Sequence, residues 1–157
     1  MERALVRGIA AGAAGTTALN TATYLDMVLR ARPASSTPEE TVRAVEDRTH
    51  LPLAAAGPRS ESATDRRSGI GALLGIAAGL GTGGIYGVLR PRLGRTPLVV
   101  LGVAAGLLAN IGTTGPMAVL GVTDPRRWPA SSWLSDLLPH LAYGLVTAAV
   151  FEELDRQ

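Results

Sequence analysis

The stretch "GALLGIAAGLGTGGIYG", residues 71–87, has a glycine at every fourth position. These glycines are Gly71, Gly75, Gly79, Gly83 and Gly87. Because residues four apart lie on one side of an α-helix, the five would form one nearly straight groove. Glycine disfavours helices in water, whereas in lipid it lets two helix backbones approach closely. The repeat therefore predicts a membrane helix that packs through its backbone.

Long segments without Asp, Glu, Lys or Arg determine the predicted fold class. Three of them cover residues 8–25, 68–89 and 96–123, and a shorter fourth covers 137–151. About 20 apolar residues are enough to cross the hydrocarbon core of a bilayer. We therefore predict an all-α integral membrane four-helix bundle with glycine-zipper packing, a single membrane domain over residues 1–157. Its helices are expected at about 4–29, 68–89, 96–120 and 133–153, with a polar loop at 30–67.

Two alternatives to this interpretation are weaker. A soluble bundle of buried helices would have to account for three long uncharged runs in one small chain. The first run could also belong to a cleaved signal peptide, since charged residues precede it. Its apolar part is poor in leucine and continues to Leu29, which favours a retained helix.

Composition limits the classes of partner and cofactor. All 15 basic residues are arginine and the formal net charge is only +2. The arginines flank the apolar segments instead of forming one basic stripe, which argues against nucleic-acid binding. The absence of cysteine excludes disulfides, thiolate metal sites and covalently attached haem. The Ala, Gly, Pro and Arg content is typical of a GC-rich bacterial genome.

The polar loop contains a predicted short amphipathic helix. Thr37 is the expected N-cap, Pro38 the first helical residue and Glu40 the capping-box partner. The helix is interpreted as a solvated connector, with a lid or a partner-binding site as the alternative.

Small residues recur in the other predicted membrane helices, at Gly8 and Gly12 in the first and at Gly102 and Gly106 in the third. Spacing of four again favours close helix packing. The sequence leaves open whether the partner helix belongs to the same chain or to another copy. With several such faces on few helices, we expect a homo-oligomer.

Polar side chains within the apolar segments are the candidates for a proton or polar path. They are Asp136, His140 and Tyr143 on one face of the last helix, with Asn20 and Asn110 in the first and third. Ionisable groups at membrane depth are costly and mark pathways or proton steps, and a carboxylate one turn before a histidine can orient the imidazole. In the alternative interpretation, Asp136 caps a helix that begins near Pro139, and the asparagines bond neighbouring helices.

No catalytic constellation is found in the sequence. It has two histidines, no His/Asp/Glu cluster with the spacing of metal ligands, no nucleophile elbow and no phosphate-binding loop. We expect a protein without enzymatic activity, cofactor or metal.

The stretch "GPMAVLGVTDPRRWPASSWLSDLLPHLAYGLVTAAVFEEL", residues 115–154, resembles the YagU-like family of small bacterial inner-membrane proteins. The shared elements are Pro116, the 121–125 turn, Trp128-Pro129, Asp136, His140 and Glu152. Pro139 departs from the family, which has glycine there, and the first loop also differs. The resemblance implies a role in acid tolerance, with no established biochemical activity.

Together these features predict a multi-pass protein of the bacterial plasma membrane, structural or related to envelope and acid stress. A small proton-linked permease or channel is one alternative, and an accessory subunit of a larger membrane complex, docked through the polar loop, is another. The expected partners are the lipid bilayer and further copies of the chain, and no nucleic acid. Arginines concentrated in the tight loop at 90–95 favour cytoplasmic termini.

Overall fold

The computed structural model describes residues 1–54 and 61–156, with only the main chain of Glu61. Over these residues the fold is helical and contains no strand. Its five α-helices are α1 (Glu2–Arg30), α2 (Thr37–Thr49), α3 (Glu61–Leu89), α4 (Leu98–Val119) and α5 (Ala130–Asp155). Short 3-10 turns, Arg90–Leu93 and Pro125–Arg127, precede α4 and α5.

Three segments of the described chain are helical, long and apolar enough to cross a membrane: Ser62–Leu93, Leu98–Val119 and Ala130–Asp155. They correspond to α3 with the turn that follows it, α4 and α5. Helix α1 has 29 residues but is not among them, because much of it is Ala, Gly and Thr. The structure thus supports three candidate spans, and a fourth span at α1 stays a prediction.

The capping residue of α2 differs from the expected one. The N-cap is Ser36, one residue before Thr37, and the Ser36 hydroxyl donates a hydrogen bond to Glu40 Oε1 over 2.6 Å. Proline in the first turn fits, since its missing N–H would have no partner there. The helix ends at Thr49, and its C-cap His50 adopts a left-handed φ of 56° and donates its N–H to the Glu46 carbonyl.

Helix α1 lies between α3 and α5, and α5 also packs against α4. Helices α3 and α4 meet more sparsely, and α2 packs on α3. Contacts between residues early in one helix and late in its neighbour show that α1 runs antiparallel to both α3 and α5. Helices α4 and α5 are antiparallel by the same criterion.

Glycines bring the main chains of α1 and α3 into direct contact. A Cβ atom on Gly12 would lie 2.7 Å from the Gly79 carbonyl oxygen and 3.0 Å from the Gly83 Cα. A Cβ on Gly83 would lie 2.5 Å from the Gly12 Cα, and it would also strike the carbonyl oxygen of Gly8. Real Cβ atoms essentially never approach within 3.0 Å, so any larger residue would force the helices apart. At these positions the partner helix belongs to the same chain.

The five glycines of the α3 repeat do not share one partner. Gly79, Gly83 and Gly87 face α1, whereas a Cβ on Gly71 would lie 2.7 Å from the Cβ of Pro38 in α2. A Cβ on Gly75 would have no heavy atom within 4 Å. The glycines of the repeat therefore contact two different helices, α1 and α2, and one of them contacts neither.

The α4–α5 contact is also made through glycines. A Cβ on Gly102 would lie 2.9 Å from the Leu145 Cα, and one on Gly106 would lie 2.5 Å from the His140 carbonyl oxygen. Gly144 of α5 fits between Gly102 and Gly106. Close approach here sets the height at which polar side chains of the two helices meet.

Large apolar side chains lie mostly on the outside of the long helices. Leu73 of α3 and Ile111 of α4 are each 66% exposed, and Leu138 of α5 is 56% exposed. In an 18-residue stretch of each candidate span, only 28–33% of the residues are buried. The contacts between helices use mostly Gly, Ala and polar side chains, with Tyr86, Leu101 and Phe151 as large apolar groups buried among them. Most large apolar side chains thus lie outside, which inverts the usual distribution of a water-soluble protein.

Replacing Gly83 by alanine should destabilise the protein, because the added methyl group strikes the main chain of α1. We expect a loss of about 1–3 kcal/mol in the free energy of unfolding, measured in detergent. The matched control is Gly75→Ala on the same helix, which has open space and should be neutral or slightly stabilising. Equal destabilisation by both variants would contradict the described α1–α3 contact.

Candidate functional site

One face of α5 carries the polar candidates Asp136, His140 and Tyr143 at spacings of four and three. The helix begins at Ala130, with Pro129 as its N-cap, so Asp136 lies nearly two turns inside it. The alternative that Asp136 caps a helix starting at Pro139 is therefore wrong. Pro139 lies within the helix and is buried.

Asp136 and His140 meet Asn110 and Thr113 of α4. Asn110 is only 8% exposed, and its side-chain amide donates a hydrogen bond to Asp136 Oδ2. His140 Nδ1 lies 2.7 Å from the Asp136 main-chain oxygen and 3.8 Å from Asp136 Oδ1. Thr113 Oγ1 lies 3.4 Å from His140 Nε2. We call these four residues the α4–α5 polar cluster.

The hydrogen-bond partners of the His140 ring favour one tautomer. A carbonyl oxygen only accepts, so the 2.7 Å contact with the Asp136 carbonyl favours a hydrogen on Nδ1, although the Asn110 amide nitrogen also lies 3.3 Å from Nδ1. In this tautomer Nε2 is an acceptor and faces the Thr113 hydroxyl. The same hydroxyl also lies 3.0 Å from the carbonyl oxygen of Ala109, to which it can donate instead.

The other two predicted polar residues lie outside this cluster. Tyr143 is 1% exposed, and its hydroxyl donates to the Gly79 carbonyl oxygen over 2.6 Å, joining α5 to α3. Asn20 is half-buried and its side chain forms no hydrogen bond within the described part of the chain. The structure thus brings together Asn110, Asp136 and His140, but not Tyr143 or Asn20. Thr113 joins them because it follows Asn110 by three residues on the same helix face.

Ionic contacts close one end of the bundle, where α1 ends and α5 begins. Asp26 accepts hydrogen bonds from Arg32 Nε over 2.5 Å and from the Ser135 hydroxyl over 2.9 Å. Arg30 Nη1 donates to Ser135 Oγ over 2.7 Å and lies 3.3 Å from Asp26 Oδ1. Asp26 and Arg30 are one helical turn apart, so their pairing follows from the sequence, whereas their contacts with α5 do not.

At the opposite end, Arg7 of α1 pairs with Asp155 of α5 at 2.7 Å, and Arg90 pairs with Glu152. Sequence reasoning missed both pairs. A usable signal was present, since each of these residues flanks or lies next to a charge-free segment. Antiparallel neighbours place such flanking charges at the same end of the bundle.

Helix α2 is fixed to α3 by Glu46, which accepts from Arg67 Nε at 2.6 Å and from the Ala54 N–H at 2.7 Å. The Ala54 N–H and the Arg67 guanidinium hold the pKa of Glu46 below its ordinary value. Val42 is 1% exposed, so the apolar side of α2 is covered. Arg48 donates to the Leu120 carbonyl oxygen over 2.8 Å and so joins α2 to the end of α4.

Residues 1–54 and 61–156 contain no group of three or more His, Cys, Asp or Glu that could hold a metal ion. No family model, curated protein or solved structure matches the chain. The resemblance to the YagU-like family therefore stays a prediction.

The bond between Asn110 and Asp136 can be tested by a double-mutant cycle with Asn110→Ala and Asp136→Ala. Because both groups are withdrawn from water, we expect a coupling free energy of about 0.6–1.7 kcal/mol for unfolding in detergent. The control cycle pairs Asn20→Ala with Asp136→Ala and should be additive, since Asn20 does not reach the cluster. An additive result for Asn110 and Asp136 would contradict the cluster.

Proposed function

We propose that this chain is an integral protein of a bacterial inner membrane that crosses the bilayer four times. In this proposal it acts without catalysis, as a self-associating structural component of the envelope. The observation that best supports this proposal is the position of the large apolar side chains, most of which lie on the outside of the helices. Large apolar groups such as Leu73, Ile111 and Leu138 face outward, while glycines and hydrogen-bonded polar groups face inward. Such a surface is solvated well by hydrocarbon and poorly by water.

The position of α1 supports its role as the fourth span. It lies between α3 and α5, both of which are candidate spans. Its charged residues Arg7 and Asp26 flank the uncharged segment 8–25 and are paired at opposite ends of the bundle.

The threonines of α1 are compatible with a lipid environment. The hydroxyl groups of Thr16, Thr17 and Thr21 each donate to the carbonyl oxygen four residues earlier, at 2.8, 3.1 and 2.9 Å. Their hydrogen-bonding capacity as donors is thus satisfied within the helix, as hydrocarbon requires. These three threonines therefore lower the apolarity of α1 without requiring water as a hydrogen-bond acceptor.

The arrangement of polar residues favours a structural role over a permease or channel. The Tyr143 hydroxyl donates to a main-chain carbonyl of α3, and among the described residues no hydrogen bond joins Asn20 to Asn110. The predicted path residues therefore do not form one continuous row across the bundle. A hydrogen-bonded cluster of Asn110, Asp136 and His140 instead fixes α4 against α5.

The exposed glycines support self-association better than the loop at 30–67 supports docking to a larger complex. Gly75 and Gly112 are exposed and have no heavy atom within 4 Å of an added Cβ, so another backbone can approach there. By contrast, α2 already buries Val42 on its own chain and turns charged side chains outward. We therefore favour contact between copies over an accessory subunit docked through α2.

Thiol labelling tests the four-span topology, because the natural sequence contains no cysteine. Single variants Glu2→Cys, Ala34→Cys, Leu93→Cys and Ala130→Cys would be treated with a membrane-impermeant maleimide in spheroplasts. With cytoplasmic termini, positions 34 and 130 should react from outside, and positions 2 and 93 only after permeabilisation. Reaction of positions 2 and 34 from the same side would show that α1 does not cross.

A further inference from the structure

We propose that the groove between α1 and α3 binds one acyl chain of an anionic phospholipid, with its phosphate held by Arg92. The proposal rests on the proposed membrane-spanning role of these helices.

The groove has a volume of about 450 Å³ and is lined only by apolar side chains and glycines. Leu5 and Ile9 of α1 form one wall, and residues 80–89 of α3 form the other. An added Cβ on Gly84 would lie 3.0 Å from Leu5 Cδ1, whereas one on Gly81 would have no heavy atom within 4 Å. Gly81 therefore leaves an open floor, and the volume is within the ~300–1,000 Å³ of ligand-binding clefts.

Arg92 places a cation at the end of this groove. Its Nη1 donates to the carbonyl oxygen of Val88 over 3.1 Å, and Val88 lines the groove. Arg92 has no carboxylate partner within the described residues, whereas Arg90 is paired with Glu152. The guanidinium group of Arg92 thus keeps N–H donors free for a phosphate, which it can bind in a bidentate geometry.

The order of groups along the groove matches a phospholipid. Leu80 to Leu89 belong to a candidate membrane span that ends at Leu93, so Arg92 lies where headgroups are expected. A helix of a second copy would fill the apolar part but would leave Arg92 without an anion. The charge therefore favours a lipid over a protein occupant.

The test uses the full chain purified in a neutral detergent. Native mass spectrometry would compare phosphatidylglycerol with phosphatidylcholine of the same acyl composition. One well-placed arginine near an anionic headgroup contributes about 1 kcal/mol, so we expect about a fivefold preference for phosphatidylglycerol. Arg92→Gln should reduce this preference towards equality without abolishing apolar binding.

The groove itself is tested by Gly81→Leu, whose side chain would fill the open floor. This variant should lose binding of phosphatidylglycerol. The matched control, Gly69→Leu, lies on the same helix outside the groove, also has open space, and should bind as the natural chain does. Circular dichroism would check that all variants keep the same helix content.

Three results would overturn the proposal. The first is equal binding of the two lipids by the natural chain, and the second is an unchanged preference in Arg92→Gln. The third is a change of oligomeric state in Gly81→Leu with unchanged lipid binding, which would assign the groove to a second copy. None of these results bears on whether the helices span a membrane, whereas a chain that is monodisperse in buffer without detergent would contradict the proposed function.

Discussion

Direct contact between the main chains of α1 and α3 is the constraint on which the rest of the structure depends. Because Gly8, Gly12 and Gly83 have no side chains, the two helices approach until Cα and carbonyl atoms touch. This closeness lets Tyr143 of α5 reach past α1 to the carbonyl oxygen of Gly79. At these glycine contacts there is no room for large apolar side chains between α1 and α3, and most such side chains lie on the outer surface.

Much of the fold is predictable from local sequence. Charge-free segments and capping patterns predict the long helices and α2, and the structure has an all-helical fold with three membrane-length apolar helices. The division of the glycine repeat is not predictable in this way. Which glycine meets α1, which meets Pro38 and which stays open, as Gly75 does, depends on where α2 folds back onto α3.

The candidate site shows the same limit. Asp136 and His140 are one turn apart on a single helix, so their proximity follows from the sequence alone. The part played by Asn110 depends on the register of α4 against α5, which Gly106 and Gly144 set by close approach. Tyr143 shares the helix face of His140 but donates its hydrogen bond to α3. Helix α5 packs against α1 as well as α4, and on the α1 side Tyr143 reaches Gly79. Residues on one face of a helix can therefore serve different interfaces.

The central claim is that the outward apolar side chains face hydrocarbon. Spin labels attached to single cysteines at Leu73, Ile111 and Leu138 in liposomes test it most directly, with a label at Ala34 as the aqueous reference. Oxygen concentrates in the bilayer and a nickel chelate in water, so their relative effects on spin relaxation report the solvent at each label. We expect the three helix labels to respond strongly to oxygen and weakly to the chelate, and the Ala34 label to show the reverse. Strong relaxation of the helix labels by the chelate would contradict the membrane-embedded fold.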